Sequence, residues 1–399
     1  MQRHFLHNTT KTAPSVALLL MSLLFIGCGG DGASEPTAST PDVSEPIDPP
    51  VSDVCQNSSN GVNWDALMTT DCNNLASYGL FKDASNPTDD PQFPGKLYQL
   101  STQLFSNYAS KYRFVFVPNQ QQISYQADSV FELPIGSVLV KSFALPYDTQ
   151  ITGITNERLI ETRLLIHRQG GWTGLGYQWT NGEAILNIAG ANINHSMNNQ
   201  GEHLDFSYPM PSKAECKLCH QSTTDGNSRI IPIGLKAQLL NRDISVDGHA
   251  VNQLVAWDDA GLLRGLPSLD TVEKTYPLGD ENASLTLRAK GYLDVNCAHC
   301  HNPTGFASVS GLRLGFQVDH TSFAYGICKQ PPGWDGGEKG LSYDIVPANA
   351  EHSILLYRQE LLEPKDRMPP LGRTLVHQEG TALIRRWIDS LSPTLGSCN

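Results

Sequence analysis

The pattern C-x-x-C-H occurs twice in this chain, as CKLCH at residues 216–220 and as CAHCH at residues 297–301. In a chain of 399 residues with nine cysteines and 12 histidines, chance gives about 0.006 such matches. Two thiols at this spacing lie one helical turn apart, so both can reach the vinyl groups of one porphyrin. The histidine that follows can present its imidazole to the iron. The two motifs therefore predict two covalently attached haem c groups.

Each motif is expected to supply two thioether bonds and one axial ligand. The thioether bonds come from Cys216, Cys219, Cys297 and Cys300, and the axial ligands are His220 and His301. Four cysteines in two C-x-x-C pairs can also bind zinc. We disfavour zinc because residues 220–296 separate the pairs, because a histidine follows each pair, and because the chain carries an export signal.

The sixth ligand of the second iron is predicted to be Met368, in the segment RMPPLGR at residues 367–373. Two prolines after the methionine restrict the backbone and remove two donors, so the thioether can be held toward the iron without a helix. Methionine ligation raises the reduction potential relative to two histidines. Arg367 and Arg373 either pair with haem propionates or are solvated, and His299 is expected at the rim rather than on an iron.

The sixth ligand of the first iron stays open in the sequence. Between the two motifs there is no methionine and only one histidine, at position 249. An iron with a vacant sixth position is one alternative. The candidate ligands are His249, Met210, His195, Met197 and His203.

Residues 1–27 are typical of a secretory signal peptide, because basic residues precede an apolar run too short to span a bilayer. The string LFIGC at residues 24–28 resembles a bacterial lipoprotein cleavage site and predicts lipidation of Cys28, with ordinary cleavage nearby as the alternative. Residues 28–54 are rich in proline and acids and predict a disordered tether. The expected location is the periplasmic side of the cell envelope, with a lipid anchor in the outer membrane.

Four cysteines remain after haem attachment and lipidation, and export exposes them to an oxidising compartment. Three pairings of these four are possible. We favour Cys55–Cys72, which closes a short loop in an irregular segment at residues 55–96. We also favour Cys328–Cys398, which ties the C-terminus to the second haem.

The hydrophobic patterns predict an α+β chain. Period-two runs at residues 97–205, with Asn181-Gly182 as a hairpin turn, predict an antiparallel β-sandwich or barrel-like domain. Helical spacing then predicts a first haem segment at residues 206–281 and a mainly α-helical, cytochrome c-like domain at residues 282–399. In the last domain one helix leads into CAHCH, and an amphipathic helix at residues 378–391 closes the chain.

The net charge of −12 argues against nucleic acid as a partner, because nucleic acid requires a basic face. The charge suits docking to a basic redox protein, although a solvated acidic surface explains it equally well. The expected partners are redox proteins, one donor and one acceptor, together with the membrane through the lipid anchor.

Beyond the motifs, the chain resembles an uncharacterised bacterial family of dihaem c-type cytochromes, many of them lipoproteins. The matching strings are LPIGSVLVKSF (133–143), ETR (161–163), GWTGLGYQW (171–179), KGYLDVNCAHCHNPTG (290–305), RMPPLGR (367–373) and RRWIDSL (385–391). The last three are also similar to cytochrome domains of several larger bacterial families. The resemblance implies electron transfer and assigns no further activity.

Three functions fit these features. The first is electron transfer by two haems between redox partner proteins. The second is a dihaem oxidoreductase, for instance peroxidase-like, with a vacant position on the first iron. The third is a β-domain that binds a ligand or partner and carries the haems as a redox appendage. Electron transfer is the expectation, because Met368 saturates one iron and the chain has no nucleophile triad, phosphate loop or dinucleotide fingerprint.

Overall fold

The computed structural model describes residues 53–56, 61–246 and 248–398. The predicted signal peptide, the lipidation site Cys28 and all of the predicted tether except its last two residues lie outside the described residues. Within the described ranges, every helix is too short or too polar to cross a membrane.

Fourteen β-strands lie in the described residues. They are β1 (Lys96–Leu97), β2 (Ser110–Phe116), β3 (Ile123–Ser124), β4 (Val138–Pro146), β5 (Glu157–Arg168), β6 (Gly171–Thr180), β7 (Glu183–Leu186), β8 (Ala191–Asn199), β9 (Glu202–Met210), β10 (Gln221–Thr224), β11 (Asn227–Ile230), β12 (Asp243–Val246), β13 (His249–Asn252) and β14 (Leu263–Arg264). The largest sheet contains six antiparallel strands in the order β1-β2-β4-β5-β6-β7. The other strands form the two-stranded pairs β8-β9, β10-β11, β12-β13 and β3-β14.

Seven α-helices lie in the same ranges. They are α1 (Trp64–Thr69), α2 (Cys216–His220), α3 (Ala237–Leu240), α4 (Gln253–Asp259), α5 (Leu285–Asn296), α6 (Ile354–Glu360) and α7 (Gln378–Asp389). α5 and α7 pack against each other. A Cβ at Gly380 of α7 would lie 2.5 Å from the Oη of Tyr292 on α5, so only a glycine permits this close crossing. The apolar side of α7 that the sequence predicts is buried, through Leu383, Ile384, Trp387 and Ile388.

Both faces of the large sheet are covered, which explains why β4 is buried almost throughout. One face packs against α1 and the segment that follows it, through residues such as Phe114 and Tyr177. The other face packs against the region of α3 and α4, through residues such as Val115 and Leu139. The predicted hairpin turn is confirmed, because Asn181 and Gly182 join β6 to β7 with φ values of 53° and 82°.

The fold class predicted from the sequence is wrong. Strand outweighs helix, at 28% against 22%, and the main feature is one large antiparallel sheet covered by helices and loops. Residues 282–399 do not form a mainly α-helical, cytochrome c-like domain, because loops and short 3-10 turns occupy the chain between α5 and α6. Glycines with positive φ, Gly311 and Gly326 among them, turn the chain there before a helix can extend. The predicted boundaries at residues 205 and 281 stay predictions.

Both favoured disulfides are confirmed. Cys55 is joined to Cys72 across 17 residues, and Cys328 is joined to Cys398 across 70 residues. The second bond attaches the C-terminus to the loop region between α5 and α6. It therefore anchors a described part of the chain in which no α-helix lies.

Removing the longer disulfide should destabilise the protein more than removing the shorter one. For the double variant C328A/C398A we expect a loss of about 4 kcal/mol in the free energy of unfolding, because an open loop of that length gains more conformational entropy in the unfolded chain. The matched control C55A/C72A should lose about 3 kcal/mol. Urea unfolding measures both, and a loss below about 1 kcal/mol in C328A/C398A would contradict this role for the bond.

Candidate functional site

The first C-x-x-C-H motif forms α2, a short helix beside strands β5 and β6. Cys216, Cys219 and His220 line one cavity, whose empty space is about 1290 Å³ with its open mouth included. At Gly174 of β6 an added Cβ would lie 3.7 Å from the Sγ of Cys216, so the strand passes close beside the first thiol. Further apolar walls come from Leu139, Leu164, Leu165 and Leu175.

The imidazole of His220 is oriented as a metal ligand requires. Its Nδ1 lies 2.7 Å from the carbonyl oxygen of Ile231, so Nδ1 carries the proton and donates it, and Nε2 keeps its lone pair. Burial lowers the pKa of His220 to about 4. The ring is therefore neutral at neutral pH, which is the state that binds a metal.

The second motif follows α5 directly. The N–H of His301 donates to the carbonyl of Cys297 at 2.9 Å, so the motif continues as a helical turn. Cys297 and His301 line a second cavity, with about 760 Å³ of empty space including its open mouth. The Nδ1 of His301 lies 3.1 Å from the Oγ of Ser310, which itself donates to the Ala307 carbonyl and so accepts from the ring. Burial lowers the pKa of His301 to about 4, and its Nε2 is again available.

Met368 lines the same cavity as His301. The structure thus brings together the thioether and the imidazole that the sequence assigns to the second iron. Pro369, the next residue, lines both cavities, so the Met-Pro-Pro loop runs between them. Phe105 and Tyr292 supply apolar walls to the second cavity.

Arg373 fixes the Met368 loop in place. Its side chain is only 2% exposed, so it is buried rather than solvated. Its guanidinium donates to the carbonyls of Met368, Gln359 and Leu361 at 2.9 Å each. It also donates to the Leu375 carbonyl at 3.1 Å. Because the planar fork of one arginine meets all these acceptors, the loop has one defined conformation.

The two motifs are packed directly against each other. The N–H of Thr223, just after the first motif, donates to the carbonyl of Thr304, just after the second, at 2.7 Å. The hydroxyl of Ser222 donates to that of Thr304 at 3.0 Å. The Cys300 thiol donates to the Leu218 carbonyl at 3.3 Å. The attachment residues of the two motifs therefore lie in contact.

Strands β2, β4 and β5 bring four basic side chains to one half-buried face beside the first motif. Lys141 lies opposite Arg113 on one side and Arg163 on the other, with Lys111 further along β2. Glu161, fully buried, accepts from the Nε of Arg163 at 2.9 Å. Burial, followed by the charges of Arg113, Lys111 and Arg163, holds the pKa of Lys141 well below its usual range. Because Lys141 and Arg163 line the first cavity, its wall suits the propionate carboxylates of a haem.

The sequence candidates for the sixth ligand of the first iron do not line the first cavity. Two of them are exposed, one on the β12-β13 hairpin and one beside Asp205. The other three are buried in the β8-β9 hairpin, where the Nε2 of His195 lies 2.8 Å from the carbonyl of Pro146. The exposed residues are His249 and His203, and the buried ones are His195, Met197 and Met210.

His299 lines the first cavity although it belongs to the second motif. The sequence places it at the rim, but its Nδ1 is buried and has no hydrogen-bond partner among the described residues. Hydrogen bonds from Cys300 and His299 hold the pKa of the Cys219 thiol well below its usual range. Helical periodicity was the available signal, since His299 falls on the opposite side of its turn from Cys297 and His301.

The arrangement of the thiols fits two haem attachments better than one zinc site. Zinc needs four ligands around one point. In the described part of the chain, no three histidine, cysteine, aspartate or glutamate side chains form a group that could hold a metal ion. Each motif instead has its own cavity, its own oriented imidazole and a nearby apolar wall. These residues therefore fit a porphyrin in each cavity.

Comparisons with protein-family models, with curated proteins and with solved structures found no match. The resemblance to the dihaem cytochrome family therefore stays a prediction from the motif strings. The function must be inferred from the residues of the two cavities.

Replacing Arg373 should destabilise the protein strongly. In R373A several buried carbonyls lose their donor, and we expect a loss of about 3 kcal/mol in the free energy of unfolding, measured with urea. R373K should not restore stability, because an ammonium cannot reach acceptors in several directions.

The matched control is Arg367→Ala, on the same loop, where the arginine donates to the Leu362 and Pro370 carbonyls at 3.3 Å. We expect that variant to lose less than about 1 kcal/mol. Equal losses in the two variants would show that Arg373 has no special role.

Proposed function

We propose that this protein is a dihaem c-type electron-transfer protein. When bound, each haem takes up or releases one electron at its iron. The observation that supports this function best is the direct packing of the two C-x-x-C-H motifs. One motif alone would mark a haem site, but two motifs in contact make a path between two redox centres.

The contact brings covalent attachment points together. The Sγ of Cys300 lies 3.3 Å from the carbonyl oxygen of Leu218, in the middle of the first motif. The backbone hydrogen bond between Thr223 and Thr304 holds this spacing. Two haems attached to motifs in such contact would have a short path for electron exchange.

The residues of the second cavity suit an electron carrier. Met368 and His301, which line this cavity, would hold the iron by two ligands of different kinds and would leave no position for a substrate on it. Phe105, Tyr292 and Leu312 give the cavity apolar walls, which would limit the access of water to a bound haem. Exclusion of water and methionine ligation both raise the reduction potential.

The expected partners are a reduced donor protein and an oxidised acceptor protein. The net charge of −12 favours basic partners, which electrostatic attraction would bring to the surface faster. The predicted lipid on Cys28 and the predicted tether would hold the haem sites on the periplasmic side of the outer membrane.

A dihaem oxidoreductase is the second candidate. It is favoured by one observation: none of the five sequence candidates for the sixth ligand lines the first cavity. If that iron kept a vacant position, a peroxide could bind there. The third interpretation, a ligand-binding β-domain, has less support, because Tyr177 and Trp179 of β6 are core residues and not the walls of a groove.

The mature protein should carry two covalent haems. Mass spectrometry of the intact chain should show two haem additions in the natural sequence, one in C216A/C219A and one in C297A/C300A, because each motif attaches its own porphyrin. A reductive titration should take up two electrons per chain. A natural protein with no covalent haem, or with zinc in a stoichiometric amount, would overturn the proposal.

Replacing Met368 should change one haem only. M368A should lose the sulfur-to-iron charge-transfer band and lower the reduction potential of one of the two haems, because the thioether ligand is gone. The control is M210L, which changes a buried methionine outside both cavities with little change of volume. The band should persist in that control, and an unchanged spectrum in M368A would refute the assignment.

A further inference from the structure

We propose that His299, from the second motif, is the sixth ligand of the first iron. The inference rests on the proposed dihaem function and goes beyond it, because motif spacing assigns His299 no role. The turn at residues 297–301 would then supply iron ligands to both haems.

The geometry of the turn directs His299 away from its own haem. At about 100° per residue, His299 falls about 200° from Cys297 and about 160° from His301. Those two residues line the second cavity, whereas Cys300 contacts the first motif. The hydrogen bond between the His301 N–H and the Cys297 carbonyl shows that the turn is helical here. The side that His299 faces is the cavity of the first motif, where it lies beside Cys219.

The buried imidazole of His299 also has a nitrogen without a partner. A buried polar atom without a hydrogen bond costs about 1–3 kcal/mol, and the Nδ1 of His299 is such an atom among the described residues. Native structures retain few of these atoms without a reason. If one ring nitrogen of His299 bound the iron and the other donated to an acceptor or to water, both nitrogens would have a partner.

Other side chains of the cavity are weaker candidates. Its walls contain two imidazoles, those of His220 and His299, and no thioether. Met210 is close to the wall, but it is buried in the core behind Gly176. Of the two amines on the wall, Lys213 is paired with Asp71 at 2.7 Å, and Lys141 belongs to the cationic face.

The consequence is a short connection between the two irons. Cys297, Cys300 and His301 would hold the second haem, while His299 would hold the first iron from within the same five residues. The contact between Cys300 and the Leu218 carbonyl already holds that turn against α2. A shift of this turn would therefore change both haems together.

The test compares full-length holoprotein variants by electron paramagnetic resonance and magnetic circular dichroism of the ferric state. In the natural protein both irons should be low-spin, one of them with two nitrogen ligands. H299A should convert half of the iron to high-spin and keep the Met368 charge-transfer band. Added imidazole should restore the low-spin signal. H299M should give the first iron a sulfur-ligand band of its own.

The control is His249→Ala, the exposed histidine that the sequence favours, and it should leave both spectra unchanged. A high-spin first iron in the natural protein would overturn the inference even if H299A failed to fold. Two low-spin irons in H299A would overturn it as well, since another group would then be the ligand. Loss of low-spin signal in H249A would assign the ligand to His249 instead.

The inference and the proposed function can fail separately. Mass spectrometry counts the haems before any spectrum is taken. Two haems with a high-spin first iron would leave the dihaem function standing and favour the oxidoreductase candidate. Fewer than two haems in the natural protein would remove the function itself.

Discussion

The contact between the segments that follow the two C-x-x-C-H motifs is the constraint on which the rest of the site depends. The N–H of Thr223 donates to the carbonyl of Thr304, and Ser222 bridges to Gly305 beside it. This short antiparallel pairing joins two parts of the chain that are far apart in sequence. The Met-Pro-Pro loop runs between the two cavities, since Pro369 lines both. Without this contact the two motifs would lie apart, and the proposed electron path between two haems would be lost.

Polar groups in the interior then fix the conformation and the charge of the site. Arg373 uses backbone carbonyls from two segments as acceptors and so orients Met368. Lys141 and Arg163 make one wall of the first cavity cationic, and Glu161 compensates only part of that charge. Burying such groups is costly unless they are paired. Around Arg373 the backbone carbonyls offset this cost. Around Lys141 and Arg163 the Glu161 carboxylate offsets part of it, and the carboxylates of the proposed haem would offset the rest.

How much of this could be predicted depends on how local each signal is. The C-x-x-C-H turns, the Asn181-Gly182 hairpin and the apolar side of α7 depend on neighbours in sequence, and the structure has all three elements. Four cysteines remained after haem attachment and lipidation were assigned, so the two favoured disulfides were one of only three possible pairings. The predicted fold class was wrong because the helical spacing near the second motif extends over α5 alone. Turns at glycines interrupt the chain after that helix. The buried role of Arg373 could not be predicted, since two of its acceptors are carbonyls at the end of α6 that only the folded loop brings within reach.

The sequence by itself determined which residues are the candidates for haem attachment, because two thiols and a histidine on one turn are a local arrangement that needs no further fold. It also determined the hairpin turn, which depends on two adjacent residues, but it only favoured one of three disulfide pairings, which the structure then confirmed. Only the tertiary structure decided that the two motifs touch, that Met368 shares a cavity with His301, and that His299 faces the cavity of the other motif. These relations join residues many tens of positions apart, and the packing of the sheet, the loops and α5 against α7 brings them together.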